Sequence, residues 1–140
     1  MSRLKITLRV DFDADHAIGP GKVALLEKMR DSGSLSQAAR ELDMSYRRAW
    51  QLLSSLNQTF REPVVLTSTG GSGGGGTTLT EFGQSLVAAY RQFEKDTNTR
   101  ADKYFGSMLK TVSTQREGAR RSITRTQRSP VTAAARRASR

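Results

Sequence analysis

No cysteine occurs in these 140 residues. That excludes a disulfide framework and any thiolate-held metal. Histidine occurs once, at His16, and no nucleophile–base pair or cluster of metal-ligating residues stands out around it, so an enzyme is not expected and neither is a cofactor. No apolar run approaches a membrane span. The opening stretch MSRLKITLRVDF has no continuous apolar segment of the signal-peptide kind. These absences lead to the expectation of a cytoplasmic protein with no membrane partner. Acids are also scarce relative to bases: 13 Asp+Glu face 23 Lys+Arg, for a formal net charge of +10.

The excess is unevenly placed. Residues 116–140 hold eight Arg against the single acid Glu117, a net +7, whereas residues 1–115 hold 15 bases and 12 acids, a net +3. Most of the positive charge therefore lies outside the stretch with folding potential. A basic balance favours a polyanionic partner without implying that sequence is read.

The densest information is in Ser34–Phe60, SLSQAARELDMSYRRAWQLLSSLNQTF. Ala38 and Ala39 are small enough to let a second helix approach, and Leu42 follows on the same face. Asp43, Met44 and Ser45 form a turn, Asp being one of the few non-glycine residues that tolerates left-handed backbone. Ser45 has the character of an N-cap. Beyond it Ala49, Leu52, Leu53, Leu56 and Phe60 recur at helical spacing, with Arg47, Gln51, Ser54, Ser55 and Gln58 opposite. Two helices at an angle with a hydrogen-bonding outer face describe a helix-turn-helix. In such a motif Arg47 and Arg48 stand at the end of the second helix that reaches base edges. Arg pairs bidentately with guanine and Gln with adenine. An ordinary amphipathic hairpin with a solvated outer face is the bland alternative.

The flanks complete the picture. Leu4, Ile6, Leu8, Val10 and Phe12 alternate with Lys5, Thr7, Arg9 and Asp11, which predicts a half-buried strand. Asp11, Asp13, Asp15 and His16 invite a calcium-loop reading, but the sixth and twelfth places from Asp11 hold His16 and Lys22, not glycine and glutamate; a solvated turn fits better. Pro20 suits the first position of a helix through Asp31, with Val23, Leu26 and Met29 inward and Gly33 as its stop. Ser34 or Ser36 caps the next helix. After Pro63, Val64–Leu66 and Thr77–Leu79 predict two short strands around a glycine-rich loop, which together make a wing. The tip glycines, Gly70, Gly71, Gly73, Gly74, Gly75 and Gly76, with Ser72 among them, would let backbone amides approach phosphates. Thr80 caps a further helix in which Phe82, Leu86, Tyr90 and Phe93 form a seam, continued by Ala101, Tyr104 and Met108. The seam can pair two chains or pack on the core. Asp96–Thr99 is a weak spot in that helix. From Thr111 on, the composition predicts a disordered basic tail.

The run GSLSQAARELDMSYRRAWQLLSSLNQTF, followed by the wing TGGSGGGGTTLTEFGQSL, closely resembles the N-terminal domain of ModE-type molybdenum-responsive regulators, a LysR-like winged helix, over roughly residues 19–95. The resemblance implies a homodimer on palindromic double-stranded DNA. By position it implies DNA contacts from Ser45, Tyr46, Arg47, Arg48 and Gln51, and backbone contacts from Gly70 to Gly76; Ser36 and Ser55 join them as candidate DNA-binding residues. Two departures are visible. No molybdate-binding module follows in this chain, which puts molybdate sensing in doubt, and Ser72 stands where the wing often carries lysine.

The resulting expectation is a mainly α winged helix-turn-helix with a small β wing. Residues 1–18 form an N-terminal strand and turn, 19–95 the DNA-binding domain, 96–112 a helical extension that can dimerise, and 113–140 a disordered Arg-rich tail. The function expected is a sequence-specific transcriptional regulator. The alternative is an architectural, nucleoid-type DNA-binding protein whose affinity comes mainly from the tail.

Overall fold

The computed structural model describes residues 4–68 and 76–113. The expected wing tip, apart from Gly76, and the expected basic tail lie outside the described residues. The chain divides into two units, residues 1–104 and 105–140. In the second, Gly106–Thr111 forms a 3-10 turn.

In the first unit the order is β1 (Val10–Asp11), β2 (Ala17–Ile18), α1 (Pro20–Ser32), α2 (Leu35–Glu41), α3 (Tyr46–Thr59), β3 (Val65–Ser68), β4 (Gly76–Leu79) and α4, which begins at Glu81 and runs to Phe105. Local chemistry sets the boundaries. Pro20 opens α1, and Gly33 closes it at φ 71°, its amide bonding the Met29 carbonyl. Ser34, not Ser36, caps α2 by accepting the Gln37 amide at 3.2 Å. Asp43 takes φ 54° in the turn between α2 and α3, and Ser45 caps α3 by accepting the Arg48 amide at 3.0 Å. A cap of this kind contributes about 0.5–2 kcal/mol.

The core gathers where the three helices of the motif meet. Val23, Leu25, Leu26 and Met29 of α1 are fully buried, as are Ala38, Ala49 and Leu56, with Ala39 and Leu53 nearly so. Ala38, Ala39 and Ala49 provide the close approach expected of small side chains. Leu25 was not on the expected inward face; α1 packs against α2, α3 and β4, so more of its circumference is covered than one stripe. Each large aliphatic side chain buried here contributes about 1.5–3 kcal/mol.

The N-terminal segment differs from the expectation of a long strand. Leu4, Ile6, Leu8 and Val10 are half-buried and the residues between them exposed, so the alternation is real. Only Val10–Asp11 pairs in a ladder, antiparallel to Ala17–Ile18. The rest lies against α4: the Ile6 amide donates to Asn98 Oδ1 at 3.1 Å and the Tyr90 hydroxyl to the Leu8 carbonyl at 2.9 Å. Edge-to-face contacts of Phe12 with Phe60 (5.0 Å between centroids) and Phe60 with Phe82 (5.2 Å) join this segment to the end of α3 and the start of α4.

α4 is continuous through Asp96–Thr99, contrary to the weak spot expected there. The Thr97 and Thr99 hydroxyls bond back to the Phe93 and Lys95 carbonyls. Asn98 is occupied with Ile6. These polar groups are therefore engaged in ways compatible with the helix. The seam also shifts: Val87 and Tyr90 are buried, while Phe93 is 50% and Tyr104 70% exposed. Arg91 joins α4 to α1, pairing with Glu27 through Nε and Nη2 and with Glu94 through Nη1.

Candidate nucleic-acid interface

α3 has three distinct sides. Ala49, Leu53 and Leu56 face the core. At 3.6 residues per turn, Arg47, Gln51 and Gln58 point the opposite way, within about 40° of one another, and all three are exposed. Tyr46, the first residue of the helix, is 52% exposed. Arg48 is also exposed, and among the described residues neither Arg47 nor Arg48 forms an ion pair. The N-terminal turn of α3 thus presents two uncompensated guanidinium groups on a backbone that Ser45 anchors.

Other expected contact residues sit differently. Ser36 is exposed on α2. The Ser45 hydroxyl is engaged with the Arg48 amide. Ser55 is half-buried: its hydroxyl accepts from Lys22 Nζ at 3.4 Å and its carbonyl from Thr59 Oγ1 at 2.7 Å. It lies at the edge of the outward face, not at its centre. Gly76 belongs to β4, and its amide donates to Ser68 Oγ at 3.1 Å, so that amide is directed into the hairpin. Gly70, Gly71, Ser72, Gly73, Gly74 and Gly75 lie outside the described residues.

One exposed residue escaped the sequence reading. Trp50 follows Tyr46 by one turn and is 41% exposed. The outer surface of α3 is therefore not wholly polar. Helical spacing held the signal, because Trp50 falls outside the stripe of Ala49, Leu53 and Leu56.

Among the described residues, Asn57 is the α3 side chain that hydrogen-bonds the wing base. β3 and β4 pair antiparallel in the register Val65↔Leu79, Leu66↔Thr78, Thr67↔Thr77 and Ser68↔Gly76. Asn57 of α3 accepts the Val64 and Val65 amides at 2.8 and 3.2 Å on Oδ1, and donates through Nδ2 to the Val65 carbonyl at 3.2 Å. Thr80, just after β4, ties the chain entering β3 to the start of α4. Its hydroxyl donates to Pro63 O at 2.7 Å and accepts the Gly83 amide at 2.9 Å, and its own amide donates to Val64 O at 3.0 Å. The wing base, the recognition helix and the start of α4 therefore form one hydrogen-bonded junction.

On the other flank, Lys22 Nζ donates to the Ala17 carbonyl at 2.7 Å as well as to Ser55. Partial burial, then the nearby charges of Arg9 and Arg48, hold this ammonium below the ordinary lysine pKa. The acidic turn is internally satisfied: Asp13 Oδ1 accepts the Asp15 and His16 amides, each at 2.8 Å, and its carboxylate meets His16 Nδ1 at 2.9 Å. Among the described residues no helix is long and apolar enough to cross a membrane.

Residues 21–84 match the family of bacterial regulatory helix-turn-helix proteins of the LysR family. The chain is similar to the molybdenum transport protein ModE of Azotobacter vinelandii, 33% identical over 102 residues, which are 73% of this chain and 38% of that protein. It is 34% identical over 95 residues to the transcriptional regulator ModE of Haemophilus influenzae, covering 68% of this chain and 37% of the relative. It is 41% identical over 71 residues to the DNA-binding transcriptional dual regulator ModE of Escherichia coli K12, covering 51% of this chain and 27% of the relative. The chain thus spans well under half the length of these relatives.

Proposed function

We propose that this chain, whose residues 21–84 belong to the LysR family of regulatory helix-turn-helix proteins and whose N-terminal portion is ModE-like, is a transcriptional regulator that reads double-stranded DNA with α3. The observation that carries the reading is the first turn of α3, where Arg47 and Arg48 project beside Gln51 without ion-pair partners among the described residues. Phosphate contacts set register, from Ser36, from Ser45 and Tyr46 at the helix start, from Ser55 at its edge and from the wing residues Gly70 to Gly75. Base choice falls to Arg47, Arg48 and Gln51. The chain acts as a homodimer. What supports pairing is the exposure of Phe93 and Tyr104 on α4. Two copies would set their α3 helices about 34 Å apart, or a multiple of that, on a palindromic site.

The test is Arg47→Ala. It should weaken binding to a duplex selected from a random pool by roughly 1–3 kcal/mol and relax base choice at one position of the site. Equal losses on selected and random duplex would remove the reading role from Arg47. The architectural alternative is favoured by the placement of +7 in residues 116–140. Deleting those residues separates the two. Retained site preference with a shallower salt dependence supports the regulator, and loss of nearly all binding with no preference left supports the architectural reading.

A further inference from the structure

One flank of α3 is walled. Residues 7–9, strand β2 and the first turn of α1 stand across from it, leaving a cleft of about 690 Å³. Three cations line this cleft: Arg9 from the N-terminal segment, Lys22 from α1 and Arg48 from α3. Asp15 is the one acid among the described lining residues. The charge is poorly compensated. Lys22 bonds two neutral oxygens, of Ala17 and Ser55, which leaves one of its three N–H donors. Arg48 forms no ion pair among the described residues, and Arg9 meets Asp11 through Nε, at 2.8 Å, on an exposed surface. Mutual repulsion adds to partial burial in disfavouring the Lys22 ammonium. An anion between the three would relieve both.

The position of the cleft says which anion. A major groove is about 12 Å wide, and a helix with its side chains is about 10–12 Å across. A helix that fills the groove therefore has a sugar–phosphate strand along each flank. Arg47, Gln51 and Gln58 mark the base-facing side of α3. Arg48 and Ser55 come next around the helix, on the cleft side.

We propose that this cleft seats a backbone phosphate of the strand running beside the recognition helix, held by Lys22 and Arg9, with Arg48 between that phosphate and the base edges. The inference rests on the DNA-reading function above and adds Arg9 and Lys22 to the interface. Such a contact fixes the depth and register of α3 without reading sequence. A free tetrahedral oxyanion has the same chemistry and is the other possible source.

The experiment uses the full chain with Lys22→Gln, Arg9→Gln, the double variant and the charge-conserving Lys22→Arg. Each is titrated onto a selected duplex and a random duplex over a series of KCl concentrations. Each single glutamine variant should make the slope of log K against log salt shallower, and the double variant should make it shallower by about 0.9, the share of one phosphate. The affinity loss should be equal on the two duplexes, and Lys22→Arg should behave as the parent. The Arg9 side chain is 72% exposed, so Arg9→Gln keeps the test valid should Lys22→Gln fail to fold. Unchanged slopes in folded variants overturn the proposal and leave the regulator reading standing. A loss confined to the selected duplex overturns it by making these residues base readers. Inorganic phosphate titrated into the DNA-free parent forms the second arm. Saturable binding that Lys22→Gln abolishes, with unchanged DNA slopes, assigns the cleft to a free oxyanion and overturns the DNA contact. If the parent binds neither duplex, the function and this inference fall together.

Discussion

Gly83 is a helical glycine at which propensity and packing oppose one another. Replacing a helix-interior glycine by alanine ordinarily stabilises by about 1 kcal/mol. Gly83, in the first turn of α4, is buried, and a Cβ built on it would stand well inside contact distance of the Val64 carbonyl oxygen and against the Leu79 side chain. That carbonyl is held in place, because it accepts the Thr80 amide at 3.0 Å. Overpacking of a rigid site costs about 1–3 kcal/mol, and displacing Val64 O also strains that hydrogen bond, a contribution of about 1 kcal/mol. After subtracting the propensity gain, Gly83→Ala should destabilise by about 2 kcal/mol. For a domain of this size that lowers Tm by roughly 10 °C. Gly21 is the control. It lies in the first turn of α1 with nothing within 4 Å of the position of a Cβ, so Gly21→Ala should be neutral or stabilising by up to about 1 kcal/mol. Urea denaturation followed by circular dichroism reads both variants. A Gly83→Ala protein as stable as the parent would refute the reasoning, since it would show that the junction of wing and α4 yields to a methyl group.

Three further outcomes follow from the same geometry. Asn57→Ala should destabilise by about 2–3 kcal/mol, because the Val64 and Val65 amides lose their acceptor; a urea midpoint equal to the parent's would show that water replaces it. Arg91→Ala should cost about 1 kcal/mol at low salt and less at 1 M, since the Arg91 side chain is 38% exposed and its ion pairs are screened; an equal loss at both salts would assign the effect to packing. Asp13 is held below the ordinary aspartate pKa, first by the His16 side chain and then by the Asp15 amide. The folded carboxyl is therefore the stronger acid, so its support of the turn is complete above the unfolded value near 4 and vanishes as pH falls through the folded value. A carboxyl chemical-shift titration should place the Asp13 midpoint below that of an unstructured aspartate, and a midpoint at or above it would contradict the hydrogen-bonded turn.

Several features were legible because they depend on residues a few positions apart. The caps of Ser34 and Ser45 each bond an amide three residues on. Gly33 and Asp43 adopt positive φ where the chain must turn, and the spacing of Ala49, Leu53 and Leu56 defines the inner face of α3 without reference to its neighbours. The alternation of residues 4–10 was legible in the same sense, since period two requires only extended backbone with one covered face. What covers that face was not. A pattern of burial does not distinguish a strand partner from a helix partner, and here most of the segment lies on α4.

Local periodicity and hydrogen bonding therefore determined the helices, the turn, the wing strands and the outward set of Arg47, Gln51 and Gln58. Only the tertiary structure decided what flanks them. Ile6 meets Asn98 across 92 positions and Lys22 meets Ser55 across 33. No short-range rule connects such pairs, because they come together only when α1 closes on α3 and the N-terminal segment lies along α4. The cationic cleft is a product of that closure: its three charges come from separate stretches of chain, and nothing local to Arg9 or Lys22 places them beside Arg48.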